Sequence, residues 1–318
     1  KKMPEGYTLL EVLVALFVVT IFAMGVFSML QLALRITYQS RIRIVESAIV
    51  NEQIEIVRNM TYTDVGVVNS IPAGILDRTV TTTRNGMQYT ITRTVRNIDD
   101  PFDGTIGGSP NDTSPADMKQ VHIDVVCTSC QYQQSLSGTT TVAPKFLEGG
   151  TGNGALYIQV FNATAGAVSL ATVHVYATGT TSTVDIYDTT DEEGFLRIVD
   201  VPAKQQGYHI SIEKPGYTWD GTLAPSASLL GPVRPPASVV SSSVTEVAFS
   251  IDQFASLQVE TLSESCGVVP SVPISFSGTK LIGTEPDVLL VTTTFSTNVS
   301  GVYNTSTLTW DTYAMRVS

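Results

Sequence analysis

Charge is scarce in this chain. Asp, Glu, Lys and Arg make up 15% of its 318 residues, well under the roughly one quarter usual for a globular protein. Positive charge is scarcer still, with 18 Lys and Arg against 29 Asp and Glu, for a net charge of −11. That balance argues against nucleic acid or any other polyanion as a partner. Only three histidines occur, His122, His174 and His209, each inside an alternating run that reads as a strand. No spacing sets a nucleophile beside a base, so nothing marks an enzyme and no cofactor is implied. Cysteine is nearly absent too: Cys266 stands alone, and Cys127-Thr128-Ser129-Cys130 forms a single CxxC. A lone CxxC is half a zinc site, a redox motif or a local disulfide. Zinc needs a second ligand pair, and the redox motif needs a βαβ setting; neither is visible. A pair of cysteines near a hairpin turn, reduced or bridged, remains, and Cys266 takes no role.

What is present is apolar or β-forming. Hydrophobic residues make up 43% of the chain, enough for real cores, and its length suits two or three domains. Beyond the first sixty residues Thr, Ser, Val and Gly dominate, which favours strands and turns. The N-terminus differs. From Val12 to Leu34 the chain is almost wholly apolar, broken only by Thr20, Gly25, Ser28 and Gln31. Roughly 20 such residues span a bilayer as a helix. Lys1 and Lys2 fit a cytoplasmic N-terminus, while Arg35, Arg41 and Arg43 on the far side argue weakly for the reverse. A secretory signal peptide fits poorly, because the run is too long and no A-x-A site ends it. Tyr38, Ile42, Val45, Ile49, Ile56 and Met60 then continue at helical steps, with charged residues between. One helix over about residues 7–60 is predicted, all apolar first and amphipathic later. Glu11 is the anomaly, a carboxylate at the head of an apolar run, costing several kcal/mol in hydrocarbon unless paired.

Gly6-Tyr7-Thr8-Leu9-Leu10-Glu11-Val12 resembles the processing site of type IV pilins and type II secretion pseudopilins. The resemblance implies that a prepilin peptidase cuts after Gly6 and that Tyr7, the new first residue, is N-methylated. Glu11 would then pair with the freed amino terminus of a neighbouring subunit in a filament core. Such a pair replaces a lone buried charge and fixes axial register. Tyr7 stands where phenylalanine is usual. The proline that often kinks major-pilin helices would fall near Ser28 and is missing, which leans towards a minor or accessory subunit.

The stretch Asn51–Asp64 also resembles the helix end of minor pilins. Four half-buried strands follow, Leu76–Arg84, Met87–Arg96, Met118–Val126 and Gln133–Val142, with Asn85-Gly86 as a hairpin turn between the first two. The fold class expected is α+β: a long transmembrane and amphipathic helix packed on an antiparallel sheet. The loop Asp99–Asp117 is acidic and could hold calcium, but EF-hand spacing is absent, so it reads as solvated and no metal site is assigned. Glu148–Gly154 reads as a flexible linker.

Beyond it, Leu156–Val160 recurs as Ser256–Glu260, Thr190–Phe195 as Thr297–Tyr303, and Gly207–Ile212 as Thr312–Val317. Three matches in order indicate a duplicated module. Each copy reads as a β-sandwich and resembles carboxypeptidase-regulatory-like and collagen-adhesin B-type domains. The second copy stops before its last expected elements, so the chain reads as a fragment. The acidic turn Asp188, Asp191, Glu192 and Glu193 reads as solvated. The division expected is residues 1–6 leader, 7–147 pilin domain, 148–153 linker, 154–252 first sandwich and 253–318 second, incomplete sandwich.

These readings converge on a minor pilin or pseudopilin displaying sandwich modules outside the membrane for spacing or adhesion. The partners implied are a prepilin peptidase, other pilin subunits, the inner membrane and an unidentified surface ligand. A type II secretion pseudopilin and a membrane-anchored binding module that never assembles are the alternatives.

Overall fold

The computed structural model describes residues 9–112, 114–131, 135–144, 153–177, 179 and 183–317. Helix α1 runs unbroken over Leu9–Arg58, about 75 Å at 1.5 Å per residue. From Leu9 to Tyr38 every residue is exposed and most are apolar, and the segment is long and apolar enough to cross a membrane. Its few hydroxyls are satisfied inside the helix: Thr20 donates to the Leu16 carbonyl at 2.7 Å, and Ser28 donates to Met24 at 2.9 Å. That device hides a polar group from lipid. Beyond residue 40 one face is buried, formed by Ile42, Glu46, Ile49, Val50, Gln53 and Val57. The expected face is therefore rotated: Ile56 is exposed, and the polar Glu46 and Gln53 lie inside.

The body after the helix is β. Strands β1 (Thr79–Arg84), β2 (Met87–Ile98), β3 (Met118–Cys127) and β4 (Ser135–Val142) form a sheet in that order. Strands β1 and β2 pair antiparallel down to Arg84 opposite Met87. Asn85 and Gly86 both have positive φ, 51° and 75°, as a type I′ hairpin turn requires. The chain divides into two compact units. One comprises Lys1–Val57, Thr79–Thr92 and Ile123–Gly138; the other comprises Arg58–Arg78, Arg93–His122 and Thr139–Ser318. In the first, α1 meets the end of the β3–β4 segment so closely that a Cβ on Gly138 would fall 2.5 Å from Val50 Cγ1. Arg84 pairs with Glu52 at 3.1 Å on the exposed side.

In the second unit, β5 (Gly154–Phe161), β6 (Thr172–Ala177), β7 (Val184–Thr189), β8 (Phe195–Val201), β9 (Lys204–Glu213), β10 (Asp220–Gly221), β11 (Ala237–Val239) and β12 (Val244–Ser250) build a two-sheet body. One sheet has the order β12-β5-β8 and the other β10-β9-β6-β7, with β11 on β9. Leu156, Ile158, Val160, Val173, Leu196, Ile210, Ile212 and Phe249 fill the space between them. The Pro- and Ser-rich stretch over 224–243 contributes one short strand, β11. Ile71 joins this same core, and Arg96 pairs with Asp188 through both guanidinium and carboxylate arms. Asp188 is therefore buried in an ion pair, whereas Asp191 and Glu193 lie on the surface with Arg197.

The pattern then recurs through β13 (Ala255–Glu260), β14 (Pro273–Ser277), a hairpin of β15 (Leu281–Thr284) and β16 (Asp287–Leu289), β17 (Thr292–Ser296), β18 (Val302–Leu308) and β19 (Ala314–Val317). Strand β13 pairs with β18 as β5 pairs with β8, and the order β17-β14-β19 repeats β7-β6-β9. The turns repeat as well. Asp191 Oδ1 accepts from the amides of Glu193 and Phe195, and Asn298 Oδ1 accepts from Ser300 and Val302. Gly194 and Gly301 take the left-handed position, with φ of 78° and 67°.

Candidate functional site

The processing residues Gly6 and Tyr7 lie outside the described residues. Glu11 is described: it sits in the first turn of α1, exposed, with Leu9, Leu10, Val12 and Leu13 around it. A carboxylate near a helix N-terminus gains a little from the helix dipole, yet that gain is small beside the cost of placing it in lipid. The helix thus presents one acidic group at the head of an apolar surface that continues to Ile36. Chemically, that surface can bury itself in lipid or among equivalent helices, with Glu11 needing a cationic partner in either setting.

At the other end of the first unit, Cys127 and Cys130 form a disulfide with Cα atoms 5.5 Å apart. Cys127 is fully buried and Cys130 nearly so, which suits a structural bridge and not an exposed redox thiol. The turn it closes is tied to the start of β2: Thr128 N donates to the Gln88 carbonyl at 2.9 Å, and Gln88 N donates to Ser129 Oγ at 2.8 Å. Cys266 is exposed and reduced. Its φ of 61° matches the 62° of Ala165 in the corresponding turn of the first repeat, so it holds a turn position.

Sequence reasoning missed one constellation. The loop between β2 and β3, taken to be solvated, is folded inward. The carboxylates of Asp99, Asp112 and Asp117 converge, with one oxygen from each within 4.8 Å of the others. Asp112 is only 8% exposed. Asp99 Oδ2 accepts from Ile106 N at 3.0 Å, Asp112 Oδ1 accepts from Ser114 N at 2.8 Å, and Asp117 Oδ2 accepts from Asp100 N. Burial raises the Asp99 pKa, the Ile106 amide opposes this, and the negative charges of Asp112, Asp117 and Asp103 add to it. The three acids are separated by 12 and 4 residues, a spacing with no recognisable motif, so only the folded loop reveals them.

Residues 1–27 match the family model for the prokaryotic N-terminal methylation motif. No curated protein matches the chain. Solved structures align weakly: the TIE protein of Bacillus anthracis at 11% identity and a TM-score of 0.24, over 76% of this chain and 51% of that one. A streptococcal ancillary pilin aligns at 8% and 0.27, over 61% of this chain and 65% of its own. The shaft pilin SpaA of Lactobacillus rhamnosus GG aligns at 12% and 0.20, over 52% and 87%. The chain thus spans about half the length of the first and under two thirds of the second, and likenesses at these TM-scores carry no argument. The resemblance of the two sandwiches to carboxypeptidase-regulatory-like modules finds no confirmation among these matches. What the comparisons do show lies at the N-terminus: the chain carries the prepilin-type N-terminal methylation motif, at the head of a single long apolar helix.

Proposed function

We propose that this chain is a minor pilin or pseudopilin, assembled through α1 into a type IV pilus-like filament and displaying its β-sandwich modules outside the membrane. The observation that carries the reading is the methylation motif over residues 1–27, leading into a helix whose first thirty described residues are exposed and mostly apolar, with Glu11 and Arg35 the charged exceptions. A prepilin peptidase removes residues 1–6, Tyr7 becomes the methylated amino terminus, and the N-terminus enters the membrane from the cytoplasm. In the filament, Glu11 neutralises the amino terminus of a neighbouring subunit, and the apolar surface of α1 is buried among equivalent helices. Residues 7–147 form the pilin domain, residues 148–153 connect it to the first sandwich at 154–252, and residues 253–318 belong to the second. The sandwiches act as spacer or adhesive surface. The motif is common to pili and type II secretion filaments, so it supports both homes equally.

Assembly is tested with Glu11→Leu, expressed with the prepilin peptidase and the assembly machinery of its host. The variant is expected to be processed normally and to fall at least about tenfold in the sheared filament fraction, because removing one partner of a buried ion pair costs about 3–5 kcal/mol. Wild-type incorporation of Glu11→Leu would contradict the proposed pairing.

A further inference from the structure

We propose that the membrane-proximal end of the first unit binds a leaflet of anionic phospholipid, through an arginine collar on α1 at Arg35, Arg41 and Arg43. The proposal rests on the reading that α1 spans a membrane with its body outside. That reading gives these arginines no role, and it puts them on the side where positive charge is ordinarily sparse. All three are exposed. They are the only charged residues between Glu11 and Glu46, in a chain of net charge −11. Glu46, the next acid along the helix, is buried, and burial favours its uncharged form. Each residue turns the helix by about 100°, so Arg41 and Arg43 fall about 240° and 80° around the axis from Arg35. The three charges therefore ring the helix.

Spacing places the collar at the headgroups. Glu11 and Arg35 are about 36 Å apart along the helix, and the hydrocarbon core is about 30 Å thick. In an upright helix with Arg35 at one border of that core, Glu11 lies about 6 Å past the other, among the opposite headgroups. Arg41 and Arg43 stand about 9 and 12 Å farther out than Arg35. Helical side chains lean toward the N-terminus, which here is the membrane side, so both long stems reach back to the phosphates. A guanidinium suits a phosphodiester, because its fork of N–H donors matches two oxygens at once.

The end of the sheet at this height is free of acids as well. Tyr38, between Arg35 and Arg41, reaches the start of β2, its Oη 4.0 Å from Met87 Sδ. Cys130 Sγ lies 3.5 Å from the same sulfur. The hairpin turn Asn85-Gly86 and the disulfide turn Thr128-Ser129 therefore sit beside the collar. Both turns are neutral, and no acid occurs in residues 79–96 or 125–147. Arg84 of that hairpin is already held by Glu52 at 3.1 Å. Positive and neutral groups gathered at one end of an otherwise acidic chain give the charge complementarity that an anionic leaflet requires.

The test uses the full, uncut chain in nanodiscs of phosphatidylcholine with or without phosphatidylglycerol, and spin-labelled lipids report the preference. Phosphatidylglycerol should be favoured at least about fivefold, the factor for one surface arginine, and about 1 M NaCl should remove most of that. The triple variant Arg35→Gln, Arg41→Gln and Arg43→Gln should bring the preference within about twofold of parity. Arg84→Gln, at a residue already paired, should leave it unchanged. If the triple variant fails to fold, Arg41→Gln with Arg43→Gln replaces it and should lose most of the preference. Hydrogen exchange reads the sheet end: amides of residues 85–88 and 128–130 should exchange more slowly in discs that contain phosphatidylglycerol. A chain that stays in the discs without preferring phosphatidylglycerol, or a folded variant that keeps the full preference, overturns the proposal and leaves the spanning reading intact. Equal protection in both kinds of disc, as contact between copies would give, overturns the docking of the sheet end. Glycerol 1-phosphate added to phosphatidylcholine discs should not reproduce the protection; if it does, the leaflet is not the partner. A chain that does not remain in the discs overturns the spanning reading, and the proposal with it.

Discussion

Glu46 is 1% exposed on α1, and neither of its carboxylate oxygens completes a well-formed hydrogen bond. Burial raises its pKa, against the smaller opposing pull of the Cys127 backbone amide and Arg43. A raised carboxyl pKa in the folded state contributes stability that is fully present below the unfolded value and is lost as pH rises through the folded one. Glu46→Gln, which imitates the protonated form, should therefore match wild type near pH 4.5. At pH 7 it should be more stable by about 1–3 kcal/mol. Thermal melts of the full chain across that range check it, and equal melting at both pH values would contradict it. Glycine gives a second residue-scale prediction. Gly194 has φ of 78°, and a Cβ there would meet the Val160 carbonyl oxygen at 2.5 Å. Gly194→Ala should cost about 1–3 kcal/mol, read as a lower denaturation midpoint, and Gly301→Ala, at φ 67° in the matching turn, should act in the same direction.

At the scale of elements, the helix and the strands were legible because their periodicities differ. The apolar run of α1 and the two-residue alternation of β2 and β3 left little ambiguity. What periodicity could not place was the rotation of the amphipathic half of α1. Glu46 and Gln53 look solvent-facing by type, yet they share a stripe with Ile42, Ile49, Val50 and Val57; packing overrode residue type. The acid loop was illegible for a related reason. Its side chains are turned inward by backbone hydrogen bonds between residues without regular spacing, and polar composition alone reads as solvated. The CxxC was ambiguous in sequence, and geometry separates its readings: a buried pair bridged across one turn has neither the open coordination of zinc nor an exposed thiolate. Replacing both Cys127 and Cys130 by Ser should lower stability by about 2 kcal/mol, the loop-entropy effect expected for so short a ring. Melts with and without reductant check this, because reduced wild type should approach the double variant.

For the whole molecule, duplication was the most readable feature after the N-terminus. Thr190 and Thr297, both nearly fully buried, begin the same turn in the two copies, and the order of strands around them repeats. The recurrence of Gly194 and Gly301 follows from a backbone conformation that only glycine adopts cheaply. Seating of the first sandwich against Ile71, Ile106 and Arg96 was not readable, because those contacts join residues far apart in sequence. The account as a whole rests on the N-terminal motif, and the direct measurement is the mass and N-terminal sequence of the full chain after co-expression with a prepilin peptidase. The account predicts a chain beginning at a methylated Tyr7, with cleavage abolished in Gly6→Ala. A chain that stays uncut in the membrane, or is cut equally well in Gly6→Ala, would contradict it.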